Sequence, residues 1–241
     1  MTVAVVLPAY NEEGNLTPLI TALEGVASRA GIALRIIVVD DASTDGTAAE
    51  LATLAGSMTS LQVIRHPVNK GIAGALKTGM AAACEQRCDA AVFMDSDLSH
   101  SPDDLPKFVD ALTRGADVAL GSRFVRGGGM VGVPLWRVLI SQAGNTFGRL
   151  VLGVPIRDLT TGYRAVRRSV MESVTIGEDG FTIQLETVVK AYARGFTVVE
   201  VPILLGVRRH GKSHMSYSVQ LFKDYWRLLL DCRRWVRASR S

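Results

Sequence analysis

The sequence predicts an α/β fold, a mostly parallel sheet flanked by helices with amphipathic helices toward the C-terminus. Short aliphatic runs recur through the first half of the chain, and a stretch with helical apolar spacing follows most of them. Acidic or small polar residues stand where the runs end, as they do at the binding edge of such sheets.

Taken in order, residues 3–7 are an apolar run closed by Pro8 and read as a strand. Residues 17–30 place Leu19, Ile20, Leu23 and Val26 on one helical side. A second apolar strand at 34–39 ends in Asp40-Asp41, a loop follows at 42–46, and 47–55 form a helix. Residues 61–64 make a short strand and 71–84 a helix of small residues. The strand at 90–94 runs into Asp95-Ser96-Asp97, a helix covers 102–114, and 117–120 form a fifth strand before Gly121-Ser122-Arg123. Beyond the flexible Gly127-Gly128-Gly129, an amphipathic segment spans 133–152, a connector 157–164, a helix 182–194, and a strand 197–201 ending at Pro202. Pro8, Asp40-Asp41, Asp95-Ser96-Asp97 and Gly121-Ser122-Arg123 all follow strands and are expected to line one crevice. The chain is expected to be one domain over 1–241, with the sheet-bearing half at 1–125 and an elaboration at 126–241.

At 241 residues with 48% hydrophobic and 21% charged residues, the composition is that of one globular core. Cys84, Cys88 and Cys232 are too few and too irregularly spaced for a disulfide framework or a zinc site, which fits a reducing cytoplasm. Residues 3–7 lack the basic leader and length of a secretory signal, and no stretch reaches about 18 uncharged apolar residues, so no spanning helix is expected. The net charge of +4 hides an asymmetry: residues 207–241 carry +7 and the rest −3. A basic tail suggests an anionic ligand or surface near the C-terminus.

Chemistry concentrates on Asp95 and Asp97. Residues two apart on a strand point the same way, so the two carboxylates can converge on one hard divalent cation that clamps phosphates. An isolated Asp-Ser-Asp is equally an ordinary turn. No glycine-rich phosphate loop is present, so a nucleotide must be held by carboxylates and a metal. The stretches around Tyr10 and Asp41 offer an aromatic for a base and acceptors for ribose or base N–H groups. The structural alternative is that Pro8 and Asn11 form a turn while Asp41 or Ser43 caps the next helix.

Pro8-Ala9-Tyr10-Asn11-Glu12, Val39-Asp40-Asp41 with Ser43-Thr44-Asp45-Gly46-Thr47, Asn69-Lys70-Gly71, Asp95-Ser96-Asp97-Leu98-Ser99-His100 and Gly121-Ser122-Arg123 together resemble the family-two inverting glycosyltransferases of GT-A fold. Asp158-Leu159-Thr160-Thr161-Gly162-Tyr163-Arg164 narrows the resemblance to the dolichol-phosphate (polyprenol-phosphate) mannosyltransferases. It extends over nearly the whole chain. The resemblance implies that Pro8, Tyr10, Glu12, Val39 and Asp41 hold the guanosine of GDP-mannose, with Asp95, Ser96 and Asp97 alongside the nucleotide sugar. It assigns Mg2+ or Mn2+ to Asp95 and Asp97, with Ser99 where the family often has a longer Gln, so that a water intervenes. Arg123 would meet the donor phosphates or the acceptor, and Arg137 and Ser141 the lipid phosphate. Arg208 and His214 would close over the donor. The family usually has Lys where His214 stands, and Lys212 is a nearby substitute. Outside the resemblance, Arg137 reads as a solvated face residue and Ser141 as an interior helix serine.

A monophosphate acceptor with a second pKa near 6 is already ionised at neutral pH and can attack C1 unaided, so no general base is nominated. Glu186, on the helix at 182–194, could equally cap or pair. Residues 218–236 interleave Leu221, Phe222, Tyr225, Trp226, Leu228, Leu229 and Trp235 with Lys223, Arg227, Arg233 and Arg234. That pattern suits a helix lying in a membrane interface, or a terminal helix packing on the domain. With the sequence stopping at Ser241, attachment is expected to be peripheral, on the cytoplasmic face, or through a membrane-spanning partner protein. Two rivals remain: a UDP-glucose-dependent enzyme of the same fold, and a non-catalytic nucleotide-sugar-binding subunit. Nucleic acid is not an expected partner, because the tail aromatics share a helix with a Leu-rich face and form no stacking platform.

Overall fold

The computed structural model describes residues 1–177, 180, 182–208 and 219–238. In chain order the elements are β1 (Thr2–Ala9), α1 (Leu16–Ala30), β2 (Ala33–Asp40), α2 (Thr47–Ala55), β3 (Leu61–Arg65), α3 (Gly71–Glu85) and β4 (Ala90–Phe93). After a single 3-10 turn at Pro102–Asp104 come α4 (Leu105–Thr113), β5 (Val118–Ser122), β6 (Gly129–Met130), α5 (Leu135–Leu152), β7 (Arg164–Arg167), α6 (Arg168–Ser173), α7 (Ile183–Ala193), β8 (Val198–Pro202), β9 (Leu204–Leu205) and α8 (Val219–Ala238).

The main sheet is seven-stranded in the order β3-β2-β1-β4-β7-β5-β8. Residues 3–7 are wholly buried, as a parallel strand covered on both faces must be. The sheet divides the core into two clusters, one on each of its faces under the flanking helices. The small-residue composition of α3 has a packing cause: a Cβ on Gly79 would lie 2.3 Å from Cγ1 of Val6, so the helix axis sits close upon β1.

Two expectations about the sheet are corrected. The connector expected over 157–164 yields at its end to β7, which lies antiparallel between β4 and β5. The helix expected over 102–114 begins as a 3-10 turn and becomes α-helical only from Leu105. Ser101 caps that turn through the Asp103 N–H, and Pro106 sits early in α4, where its missing N–H costs nothing.

The C-terminal half is built around α5 and α8. Pro134 sets the start of α5, and Gly153 ends it at φ 64°, a left-handed position that glycine tolerates. Leu228, Leu229, Cys232 and Val236 of α8 are buried against the domain, while Trp226 stacks on Phe147 of α5 with centroids 5.4 Å apart. Of the two readings of that helix, packing on the domain accounts for its Leu-rich side. The apolar surface left open lies mostly on α5, where Leu135, Trp136, Leu139, Ile140 and Leu150 are each more than half exposed. No described helix is long and apolar enough to cross a membrane.

Candidate active site

The C-terminal ends of β1, β2, β4 and β5 meet at one edge of the sheet, and hydrogen bonds stitch the loops beyond them. Asn11 N–H donates to Ser43 Oγ at 3.0 Å, Glu12 N–H to Thr47 Oγ1 at 2.9 Å, and Thr44 N–H to Asn11 Oδ1 at 2.8 Å. Neither Asp41 nor Ser43 caps α2: Ser43 Oγ accepts from Asn11 N–H, and Asp41 Oδ1 is engaged by His66. Three non-glycine residues here hold positive φ: Asn11 at 56°, Ala42 at 62° and Leu98 at 63°. Strain of this kind persists only where surroundings over-determine the backbone, and it clusters at ligand sites.

The acidic pair is presented by a turn, not by strand alternation. β4 stops at Phe93, and Asp95-Ser96-Asp97 curls away from it. Ser96, expected beside the nucleotide sugar, is 2% exposed and donates its hydroxyl to the Pro8 carbonyl at 2.8 Å, tying the turn to β1. Ser99 donates both its N–H (3.0 Å) and its hydroxyl (2.6 Å) to Asp97 Oδ1, so it orients that carboxylate while its own lone pairs stay available. Asp95 N–H meets Nδ1 of buried His100 at 3.3 Å. Against the other side of Asp95 runs the loop at Gly162, where a Cβ would come within 3.1 Å of the carboxylate.

Arg208 bridges the two walls. It donates to Asp97 Oδ2 at 3.2 Å and to Glu12 Oε1 at 2.8 Å. Burial pushes the Glu12 carboxyl up, with Arg208 and Asn15 pulling it back, and burial likewise raises Asp95 against the opposing pull of His100. Beneath the turn lies Arg164, 2% exposed, its guanidinium 5.4 Å from the Phe93 ring and 3.3 Å from Gln184 Oε1. Burial lowers its pKa to about 10, so it keeps its charge at neutral pH under the acidic pair.

Two carboxylates and a hydroxyl are hard oxygen donors suited to Mg2+ or Mn2+. Among the described residues no third His, Cys, Asp or Glu joins them into a closed set. The donor set therefore fits an ion completed by substrate oxygens and water. Because Arg208 neutralises Asp97 in its place, Arg208→Ala is expected to tighten Mn2+ binding without nucleotide by about tenfold. Titration by electron paramagnetic resonance checks this, and weaker binding would contradict the exchange.

Val39 is wholly buried, so its side chain forms floor beneath Asp41. Pro8 and Tyr10 are half-buried at the crevice edge. Arg123 is held by Asp158 through Nε–Oδ2 and Nη2–Oδ1 contacts of 2.7 Å each, and it also reaches Thr160 at 2.8 Å. Asn145 of α5 donates to Thr160 at 3.1 Å and to the Ser141 carbonyl at 2.9 Å, which links Ser141 to the Arg123 loop. Arg137 is exposed one turn before Ser141, over the Trp136 ring at 5.2 Å. Glu186 accepts from Gly177 N–H at 2.9 Å and Lys190 Nζ at 2.6 Å, a buried structural clamp and not a base facing the crevice. His214 and Lys212 lie outside the described residues.

The model for glycosyl transferase family 2 matches residues 4–175. The chain belongs to this family. Among its relatives in the family, the polyprenol monophosphomannose synthase of Mycolicibacterium smegmatis is 39% identical over 218 residues, 89% of this chain and 81% of that protein. The dolichol-phosphate mannosyltransferase of Pyrococcus furiosus is 37% identical over 98% of this chain, which spans 64% of that longer protein. The undecaprenyl-phosphate mannosyltransferase of Micrococcus luteus is 34% identical, covering 100% of this chain and 96% of that one. The fold is that of glucosyl-3-phosphoglycerate synthase from Mycobacterium tuberculosis, solved with Mn2+, UDP and phosphoglyceric acid, at TM-score 0.68 and 23% identity over 96% of this chain and 76% of that one. This family-two chain is a glycosyltransferase of GT-A architecture, and its paired Asp95 and Asp97 occupy the strand-end turn that faces the crevice.

Proposed function

We propose that this glycosyltransferase moves mannose from GDP-mannose to a polyprenyl phosphate with inversion, releasing GDP. The observation that carries the reading is the arrangement of one crevice. An acidic turn and Arg208 stand on one side, and the Arg123–Thr160–Asn145 chain leads from it to an open apolar helix. Names of relatives that specify polyprenol, dolichol-phosphate and undecaprenyl-phosphate mannosyl transfer support it.

In this reading Pro8, Tyr10, Glu12 and Asp41 receive the guanosine over the Val39 floor. A divalent cation at Asp95 and Asp97 would supply charge to the departing diphosphate. Arg208 leaves Asp97 to meet the donor phosphates, and Arg123 stays fixed by Asp158 at the donor–acceptor boundary. Arg137 and Ser141 orient the lipid phosphate, which attacks C1 opposite the leaving group. Such a phosphate needs no base, in keeping with the clamp role of Glu186. Residues 1–125 thus serve the donor and 126–241 the acceptor, apart from Arg208, which reaches back to the donor phosphates.

The lipid is reached by peripheral contact on the cytoplasmic face. The α5 residues Leu135, Trp136, Leu139, Ile140 and Leu150 enter the interface, and the basic C-terminal segment attracts anionic headgroups. Replacing Trp136 and Leu139 together by Glu is expected to cut partition onto anionic vesicles by about tenfold or more, read by co-sedimentation. Unchanged partition would move the contact elsewhere.

The deciding assay offers labelled GDP-mannose and UDP-glucose with a short polyprenyl phosphate and Mn2+. Mannosyl-phosphate lipid from GDP-mannose is expected. Exclusive use of UDP-glucose would refute the donor, and nucleotide binding without any product would leave a non-catalytic binding subunit.

A further inference from the structure

Asp41 does not stand alone at the end of β2. Its Oδ1 accepts from Nδ1 of His66 at 2.6 Å and from the Lys70 N–H at 2.8 Å. Asp41 and His66 are 2% and 4% exposed. The other ring nitrogen, Nε2, meets Thr78 Oγ1 on α3 at 2.9 Å, and His66 N–H donates to the Asp40 carbonyl at 2.9 Å. A histidine bonded at both ring nitrogens and through its backbone has no freedom to turn. The residue after β3 and the residue before α3 therefore meet at one oxygen of Asp41, and Thr78 ties α3 to them through the ring.

A carboxylate torsion is broad when nothing holds it. With two donors on Oδ1, the plane of the Asp41 carboxylate is set. Oδ2 takes no hydrogen bond among the described residues, which leaves it as the acceptor. We propose that His66 is a positioning residue for nucleoside recognition, locking Asp41 so that Oδ2 faces the donor's ribose or base N–H groups, with Thr78 bracing the ring. The proposal rests on the reading of Asp41 as a nucleoside-binding residue.

The test is calorimetric titration of GDP into the full chain, with transfer kinetics alongside, for Asp41→Asn, His66→Leu, His66→Gln and Thr78→Val. His66→Leu is expected to raise the GDP Kd and the nucleotide-sugar KM by about tenfold while kcat stays within about twofold. His66→Gln, which keeps an N–H donor, should recover most of that affinity, and Thr78→Val should fall between. Mn2+ binding without nucleotide should match wild type in all four, because the acidic turn is untouched. Should the Leu variant fail to fold, Thr78→Val carries the comparison. If Asp41→Asn weakens GDP binding and neither His66→Leu nor Thr78→Val does, the positioning role is wrong while the Asp41 assignment stands. If Asp41→Asn leaves GDP binding unchanged, the nucleoside assignment itself fails and this role fails with it. Equal losses in GDP and Mn2+ binding, unrelieved by Gln, would reduce His66 to a structural residue.

Discussion

Asp97→Ala is expected to lower sugar transfer by about 10³-fold, with nucleotide-free Mn2+ binding lost in parallel. The residue carries three contacts that give it this weight. Ser99 fixes Oδ1 from its N–H and hydroxyl, and Arg208 approaches Oδ2 at 3.2 Å. Alanine removes one of the two acidic ion ligands and also frees Arg208 from the turn. Leaving-group charge then develops with less compensation, an effect worth several kcal/mol in the transition state. Chelator added to the wild-type chain should reduce turnover to a comparable level, and adding chelator to Asp97→Ala should change little further. Steady-state transfer with a metal titration checks both. An alanine variant with near-normal turnover would remove the metal from the account.

Asp158→Asn should be the most destabilising conservative change at the site. Asp158 is fully buried and receives Arg123 through its N–H at 3.0 Å and through Nε and Nη2 at 2.7 Å each. The amide keeps the volume and loses the charge, leaving a guanidinium uncompensated where only 11% of its side chain is exposed. Breaking one side of such a pair costs about 3–5 kcal/mol. For a chain of this size that corresponds to a fall of about 10 °C in Tm. The double change Asp158→Leu with Arg123→Met removes both charges and should melt above Asp158→Asn, although Arg123 is then lost to catalysis. Thermal denaturation followed by circular dichroism checks both. A single variant that melts with wild type would mean that the pair is a surface contact in solution.

The donor half was legible because its physics is repetitive. Strands buried on both faces must be continuous apolar runs, and residues 3–7, 34–39 and 90–94 are such runs. The stretch Arg164-Ala165-Val166-Arg167 has charge at both ends and only four residues in its strand, so nothing local marked it. Tertiary pairing with β4 and β5 makes it a strand, and burial against Phe93 accommodates its first arginine. The α8 pattern was ambiguous for a related reason. An apolar side beside arginines suits either a bilayer or a protein, and only the buried Leu228 and Leu229 decide which.

At the site, the residues that project polar atoms toward the crevice could be picked out by type and by place after a strand. Their supports could not. His66 follows β3 in a run that resembles an ordinary turn, and its pairing with Asp41 spans 25 positions. Arg123 was expected to face phosphate, yet its anchor, Asp158, lies 35 residues away. The resemblance put Ser96 beside the nucleotide sugar, and no local signal marked that its hydroxyl is taken by the Pro8 carbonyl, 88 positions away.

The ion between the two carboxylates is the claim on which the mechanism depends. Crystals of the chain grown with GDP and Mn2+, measured at the manganese edge, test it most directly. The expected result is one anomalous peak at coordination distance, about 2 Å, from oxygens of both Asp95 and Asp97 and in contact with the diphosphate, with Arg208 moved off Asp97. An ordered nucleotide with no peak there, and Arg208 still bridging to Glu12, would contradict it.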